Sequence, residues 1–169
     1  MELFALFIYL FVSEPSVQFY KAFAESVSQH SESAGWGLGF RVRMPVGAHD
    51  ALRIRLDGRR FAAKEAPSSS SEAELHTGVS LDYLWRGRYW ESGWYAGLGA
   101  GWLRREQPVL GQDTVTCDAV NGSVILGRAQ KLGNGQVLLE TRFEVAGFDG
   151  RAAPTLALSL AYRYHFKHL

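Results

Sequence analysis

Four neighbouring residues carry the side chains that a serine hydrolase needs. His30, Ser31, Glu32 and Ser33 supply a base, two hydroxyl groups and a carboxylate within one short stretch. Catalytic triads are defined by geometry in space, so adjacency along the chain carries little weight. Polar residues of a surface loop account for the same stretch, and we therefore predict no catalytic residues.

The sequence gives little support for a metal site, a nucleotide site or nucleic-acid binding. The five histidines are scattered along the chain, and the single cysteine, Cys117, has no partner for a disulfide or a zinc site. The glycines between Gly97 and Gly101 alternate within a strand and open no helix, unlike a phosphate-binding loop. The net charge of +1 gives no attraction for a polyanion. We predict no metal, no cofactor and no nucleic-acid partner.

Most of the other ionisable residues alternate along the sequence with apolar residues. Two pairs of carboxylates, Asp57 with Asp82 and Glu140 with Glu144, have the residue types of a general acid and base. Each carboxylate also has an arginine nearby, which favours salt bridges. We predict a charge network on one face of the strands, made by Arg41, Arg43, Arg53, Arg55, Asp57, Asp82, Arg86, Glu140, Arg142, Glu144 and Arg163.

The elements that position these charges have a sequence period of two, which indicates strands rather than helices. Residues 36 to 44 show it most clearly, with large apolar side chains at even positions and glycine or arginine at odd ones. Around Val120 to Arg128 the alternation is weaker. Seven strands are predicted in this way, at 35–44, 52–57, 78–86, 94–102, 120–128, 136–145 and 155–166.

The apolar face carries no charge in the six clear strands, which is what contact with lipid requires. A charge at mid-depth on a lipid-facing strand costs about 2–4 kcal/mol, and an open sheet edge would leave backbone groups unpaired in lipid. We therefore predict an all-β fold, an eight-stranded antiparallel up-and-down transmembrane β-barrel with the charge network in its lumen. A soluble lipocalin-like barrel, with the apolar face inside, is the alternative.

The eighth strand follows from parity, because single-chain bacterial barrels have an even number of strands. We place it within Ser16 to Ala24, before an outer loop at Glu25 to Ser33. The other connections are predicted to alternate in length. Short turns are expected at 47–50, 87–92 and 132–135, and longer outer loops at 64–74, 104–114 and 148–154.

If the short turns share one end of the barrel, the large aromatic residues fall near its two ends. Such belts are typical of proteins at the two membrane–water interfaces. The residues predicted to form them are Trp36, Trp85, Trp94, Trp102, Tyr162, Tyr164 and Phe166.

Two segments resemble known outer-membrane proteins. The alternating final strand from Leu158 to Phe166 is similar to the terminal signal by which such proteins are recognised for barrel assembly. Tyr95 to Trp102, Tyr-Ala-Gly-Leu-Gly-Ala-Gly-Trp, resembles the glycine-aromatic strands of the OmpA-like and OmpX-like families. The resemblance extends as a pattern over residues 34–166, and Lys167 to Leu169 depart from it. It implies a location in the bacterial outer membrane.

The domain organisation predicted is one β-barrel domain over residues 13–169. Residues 1–12 form a signal-like or disordered segment, since Leu3 to Val12 is an apolar run too short for a membrane helix. No basic residue precedes this run, unlike an ordinary signal peptide.

The function we predict is that of a membrane anchor or surface-interaction protein that acts through its outer loops and has no open pore. The expected partners are membrane lipid and lipopolysaccharide, the barrel-assembly machinery and an extracellular or periplasmic protein. Two alternatives are an outer-membrane enzyme that acylates or deacylates lipid A, and a soluble binder of apolar ligands.

Overall fold

A computed structural model describes residues 15–26, 31–61, 73–86, 92–107, 114–133, 135–148 and 150–164, with side chains described between residues 35 and 163. The predicted segment at 1–12 and the terminal Phe166 lie outside the described residues. The eight strands are β1 (Pro15–Ser26), β2 (Ser31–Pro45), β3 (Asp50–Phe61), β4 (Glu74–Arg86), β5 (Gly93–Gln107), β6 (Val115–Leu132), β7 (Gly135–Phe148) and β8 (Arg151–Tyr164).

The strands form one closed barrel in chain order, and β1 pairs with β8 to close it. Every neighbouring pair is antiparallel. The predicted eight-stranded antiparallel up-and-down barrel is therefore confirmed. The strand inferred from parity exists as β1, which pairs with β2 over Pro15 to Ser26.

The strands are staggered, as closure of a barrel requires. A path can be traced from Ala24 of β1 by moving from each residue to its partner on the next strand. After one turn around the barrel this path returns to the beginning of β1, about ten residues earlier in the chain. On that circuit it passes through Thr155, Glu144, Ser123, Gly99, Asp82, Arg53 and Arg43. Inward residues from every part of the chain therefore come together in the lumen.

We call the end of the barrel that holds Pro15, Tyr164 and the links at 46–49, 87–92 and 133–134 the inner end. The outer end holds the links at 27–30, 62–73, 108–114 and 149–150. The strands have 12 to 18 residues, whereas about 9–11 suffice to cross a membrane. They therefore extend beyond the thickness of a bilayer.

The connection between β7 and β8 differs from its prediction. A longer loop was expected at 148–154, but β7 runs to Phe148, β8 begins at Arg151 and only residues 149–150 join them. Gly150 takes a φ of 75°, a left-handed conformation that suits glycine in so tight a turn. Pro154 lies within β8 beyond the last residue paired with β1, where the loss of an N–H is tolerated.

No helix among the described residues is long and apolar enough to cross a membrane.

Candidate functional site

The lumen of the barrel holds all eleven residues of the predicted charge network. Each is buried, although strands β2, β3, β4, β7 and β8 all contribute to the set. The burial follows from the pleat, because successive side chains of a strand point to opposite faces. In β7, for example, Glu140, Arg142 and Glu144 are buried while Leu139 and Phe143 are exposed.

Glu140 is the most highly connected carboxylate of the described lumen. It accepts hydrogen bonds from Arg41 at 3.2 Å, from Arg53 at 2.6 Å and from the hydroxyl group of Tyr95 at 2.9 Å. These partners lie on β2, β3 and β5, so one side chain of β7 joins four strands. Arg41 also donates to the hydroxyl of Ser159 at 3.1 Å.

Asp82 connects the Glu140 cluster to a second arginine. It accepts from Nε of Arg53 at 2.8 Å and from Arg142 at 2.5 Å. Arg142 in turn donates to the hydroxyl of Ser123 at 2.8 Å. Burial of a charge is costly unless it is paired, and these ion pairs and hydrogen bonds supply the compensation.

A second cluster lies nearer the outer end, around Glu144 and Asp57. Glu144 accepts from Arg55 at 3.0 Å and from Arg59 at 2.8 and 3.0 Å. Asp57 accepts from Nε of Arg59 at 2.8 Å and forms an ion pair with Arg55 at 3.1 Å. All four predicted acids thus contact arginine, which is the geometry of salt bridges rather than of an acid–base pair.

Two members of these clusters were missed by sequence reasoning. Arg59 is fully buried and is the main partner of Glu144, yet the predicted strand ended at residue 57. The signal was available, because continuing the period of two from Arg55 and Asp57 places Arg59 on the same face. Tyr95 was assigned to this face, but its hydrogen bond to Glu140 depends on packing that the sequence does not display.

Three predicted arginines lie inside the barrel towards the inner end. Arg163 donates to the side-chain oxygen of Gln136 at 3.1 Å, and the guanidinium of Arg86 lies 5.5 Å from the centre of the Tyr95 ring. Arg43 is also buried.

Apolar clusters border the charges. Towards the outer end, Leu103, Ala119, Ala146 and Phe148 pack together inside the barrel. The ring of His76 lies between those of Phe61 and Phe148, with centroid distances of 4.6 and 6.3 Å. Nearer the inner end, a second cluster of six residues includes Tyr95. Its members are Leu84, Tyr95, Ile125, Ala129, Leu138 and Ala161. Apolar side chains therefore share the described lumen with the charged ones.

Glycines on the inward face give the larger side chains their space. A Cβ at Gly99 would collide with the carboxylate of Asp82, and one at Gly127 would collide with the ring of Tyr95. The glycine alternation in β5 is therefore a packing feature. It does not form a phosphate-binding loop, because β5 continues as a strand through it.

The residue types of a hydrolase are not assembled in the part of the barrel that can be described. His30 lies outside the described residues, and only the backbone is described for Ser31 to Ser33. Among the described residues no three of His, Cys, Asp or Glu group together as a metal site would require. Cys117, the single cysteine of the sequence, is half-buried and forms no disulfide.

The outer face of the barrel is apolar. Its exposed side chains include Leu56, Leu81, Leu98, Val124 and Leu160. Most charged residues at outward positions lie towards the strand ends, namely Asp50, Arg60, Arg104, Glu106, Asp118 and Arg128. Lys21 is the exception: the register places it at an outward position near the middle of β1, opposite Trp36 and Leu158. A lipocalin-like barrel would have the opposite arrangement, so the soluble alternative does not fit this structure.

The aromatic residues predicted at the membrane interfaces occupy the outward face near both ends. Trp85 and Trp94 lie near the inner end, and Trp36 and Trp102 lie towards the outer end. Trp36 and Trp94 are 63% and 62% exposed. Tyr162 is exposed near the inner end, whereas the side chain of Tyr164 and all of Phe166 fall outside the described part.

A closed eight-stranded barrel with a charged interior and an apolar exterior defines a class of protein, the small transmembrane β-barrels. Its structural neighbours are bacterial outer-membrane β-barrel proteins, as the resemblance in the sequence implied. Neisserial surface protein A (NspA) matches with a TM-score of 0.71 and 14% identity over 90% of this chain and 96% of that one.

Two further outer-membrane barrels share the fold. Ail, the attachment invasion locus protein of Yersinia pestis, has a TM-score of 0.60 and 14% identity over 90% of this chain and 99% of its own. The N-terminal β-barrel domain of Pseudomonas aeruginosa OprF has a TM-score of 0.59 and 6% identity over 90% and 98%. No protein-family model and no curated protein matches the sequence.

Proposed function

We propose that the protein is an integral outer-membrane barrel that acts as a membrane anchor or surface-interaction protein and has no open pore. The observation that carries the proposal is the sorting of side chains, with an apolar surface outside and an ion-paired lumen inside. Lipid demands the first feature, and a conducting channel is incompatible with the second.

The proposed orientation places the inner end at the periplasm and the outer end at the cell surface. Short periplasmic turns and longer outer loops are the habit of this class. Trp85 and Trp94 would then lie at the periplasmic interface, with Trp36 and Trp102 at the outer one. Tyr162, Tyr164 and Phe166 would add to the periplasmic belt.

The proposed partners follow from this placement. Lipid and lipopolysaccharide would surround the barrel, and the assembly machinery would recognise its last strand. The outer links at 62–73 and 108–114 are the longest in the chain and would contact an extracellular protein or polymer, or the partner could be a periplasmic protein at the inner end. The neighbour Ail has been solved in complex with the heparin analogue sucrose octasulfate and in a phospholipid bilayer nanodisc.

The test combines location, folding and conductance. After expression in a Gram-negative host, the protein should appear in the outer-membrane fraction and migrate differently on a denaturing gel with and without heating. N-terminal sequencing of that form would define its start. The purified barrel should show no discrete conductance steps in a planar bilayer. A stable monomer without detergent would contradict the membrane assignment, and regular conductance steps would contradict the closed lumen.

A further inference from the structure

The outward face of the described strands carries an apolar groove that extends from β2 to β5. The groove has a volume of about 690 Å³ and is lined mainly by apolar groups, among them Leu38, Phe40, Leu56, Val79 and Trp102. That volume lies within the range of about 300–1,000 Å³ found for ligand sites. The groove opens to the surroundings of the barrel and is separate from the lumen.

Gly58 creates the groove. It occupies an outward position on β3, where its neighbours across the sheet are Leu38 on β2 and Thr77 on β4. A Cβ at Gly58 would meet nothing within 4 Å, so the absence of a side chain leaves open space rather than accommodating a neighbour. Larger outward residues on both sides form the walls.

The outer rim of the groove carries two arginines, and two acids, Asp118 and Glu106, lie close to one of them. Arg60 lies two residues beyond Gly58 on the same face of β3 and is exposed. Arg104 lies opposite Thr77 on β5, and its guanidinium is 5.0 Å from the centre of the Trp102 ring. It bonds to Asp118 through Nε and Nη2 at 3.0 and 3.3 Å, which leaves Nη1 outside that pair.

An apolar furrow that ends at two guanidinium groups matches one kind of molecule. A hydrocarbon chain would fill the furrow, and an anionic group at its head would lie beside the arginines, which bind phosphate through charge-assisted hydrogen bonds. Lipid headgroups lie at the surface of a bilayer, which is the level expected for these two arginines. The polarity of the groove therefore runs in the same direction as that of a lipid in the outer leaflet.

We infer that this groove binds one acyl chain of a phosphorylated outer-leaflet glycolipid of the lipid A type, whose phosphate contacts Arg60 and Arg104. The inference rests on the proposed function, since it requires the barrel to span the outer membrane with its outer end at the surface. The inference assigns one specific lipid-binding site to the outward face of the barrel.

The site can be tested by native mass spectrometry of the detergent-purified, folded barrel titrated with bisphosphorylated lipid A. We expect one lipid A per wild-type barrel, and about tenfold weaker binding of the dephosphorylated form. Gly58→Leu should fill the furrow and lower binding about tenfold. Gly122→Leu is its matched control, because Gly122 is outward on β6, also has open space, and lies three strands from Gly58.

A second pair of variants tests the headgroup contact. Arg60→Gln should weaken binding of lipid A about tenfold and leave binding of the dephosphorylated form unchanged. Arg128→Gln, which removes an outward arginine near the inner end, should change neither. Equal binding by the Gly58 and Gly122 variants, or by the two forms of lipid A, would overturn the inference. Every variant should still show heat-modifiable migration on a denaturing gel, which indicates a folded barrel. Loss of lipid A selectivity in such folded variants is then distinct from failure of the membrane assignment.

Discussion

Arg53 on β3 and Glu140 on β7 meet at 2.6 Å across the lumen, although their strands lie four positions apart in a ring of eight. The ion pair therefore spans the full width of the barrel. Arg55 and Arg59 of β3 repeat the connection to Glu144 of β7 nearer the outer end. Opposite walls of the barrel are therefore joined directly by ion pairs.

Removal of the Glu140 charge should destabilise the barrel strongly. Glu140 is 1% exposed, and its neutralisation would take a counterion from Arg41 and would leave Arg53 paired with Asp82. We expect Glu140→Gln to lower the free energy of unfolding by about 3–5 kcal/mol, measured by urea titration of the barrel folded in lipid vesicles. Asp118→Asn is the control, because its ion pair with Arg104 is exposed and should contribute less than about 1 kcal/mol. Equal losses for the two variants would contradict the role of the lumen network.

The contact between Arg53 and Glu140 should appear as coupling in a double-mutant cycle. Each single change to glutamine removes one charge of the pair and leaves the other with one counterion fewer, whereas the double variant removes both charges. We expect a coupling free energy of about 1–3 kcal/mol between Arg53→Gln and Glu140→Gln in the same unfolding assay. Pairing Arg53→Gln with Asp118→Asn should instead give additive effects within about 0.5 kcal/mol.

Two glycines of β6 should respond in opposite ways to the same substitution. Gly127→Ala forces a Cβ against the ring of Tyr95 and disturbs its bond to Glu140, so we expect a loss of about 1–3 kcal/mol. Gly122→Ala adds a methyl group to open space on the outward face and should be neutral or slightly stabilising. Comparable destabilisation by both would show that strand propensity, rather than the inward packing, sets the requirement.

The outward face should show a depth-dependent penalty for charge. Leu98 is outward near the middle of β5 and is 55% exposed. Leu98→Arg should cost about 2–4 kcal/mol in vesicles, whereas Leu132→Arg, outward at the inner end of β6, should cost about 0–1 kcal/mol. If the two substitutions proved equally tolerated, the apolar face would not be in contact with lipid.

The sequence indicated much of this architecture in advance. Period-two alternation assigned inside and outside correctly for residues such as Arg41 and Leu38, because the pleat of a strand leaves only two faces. Parity required β1 even though its pattern is weak. Loop lengths were less reliable: a longer loop was predicted at 148–154, but pairing with β7 continues β8 through Pro154.

Which arginine meets which acid was decided only by the tertiary structure. The partners of Glu140 lie 45 to 99 residues away in sequence, and their meeting depends on strand register and on the tilt that closure imposes. The groove at Gly58 likewise needs four strands, β2 to β5, in register before its open space and its arginines become neighbours. Alternation is a local property and can be read along one strand, whereas pairing across a lumen is set by the whole ring.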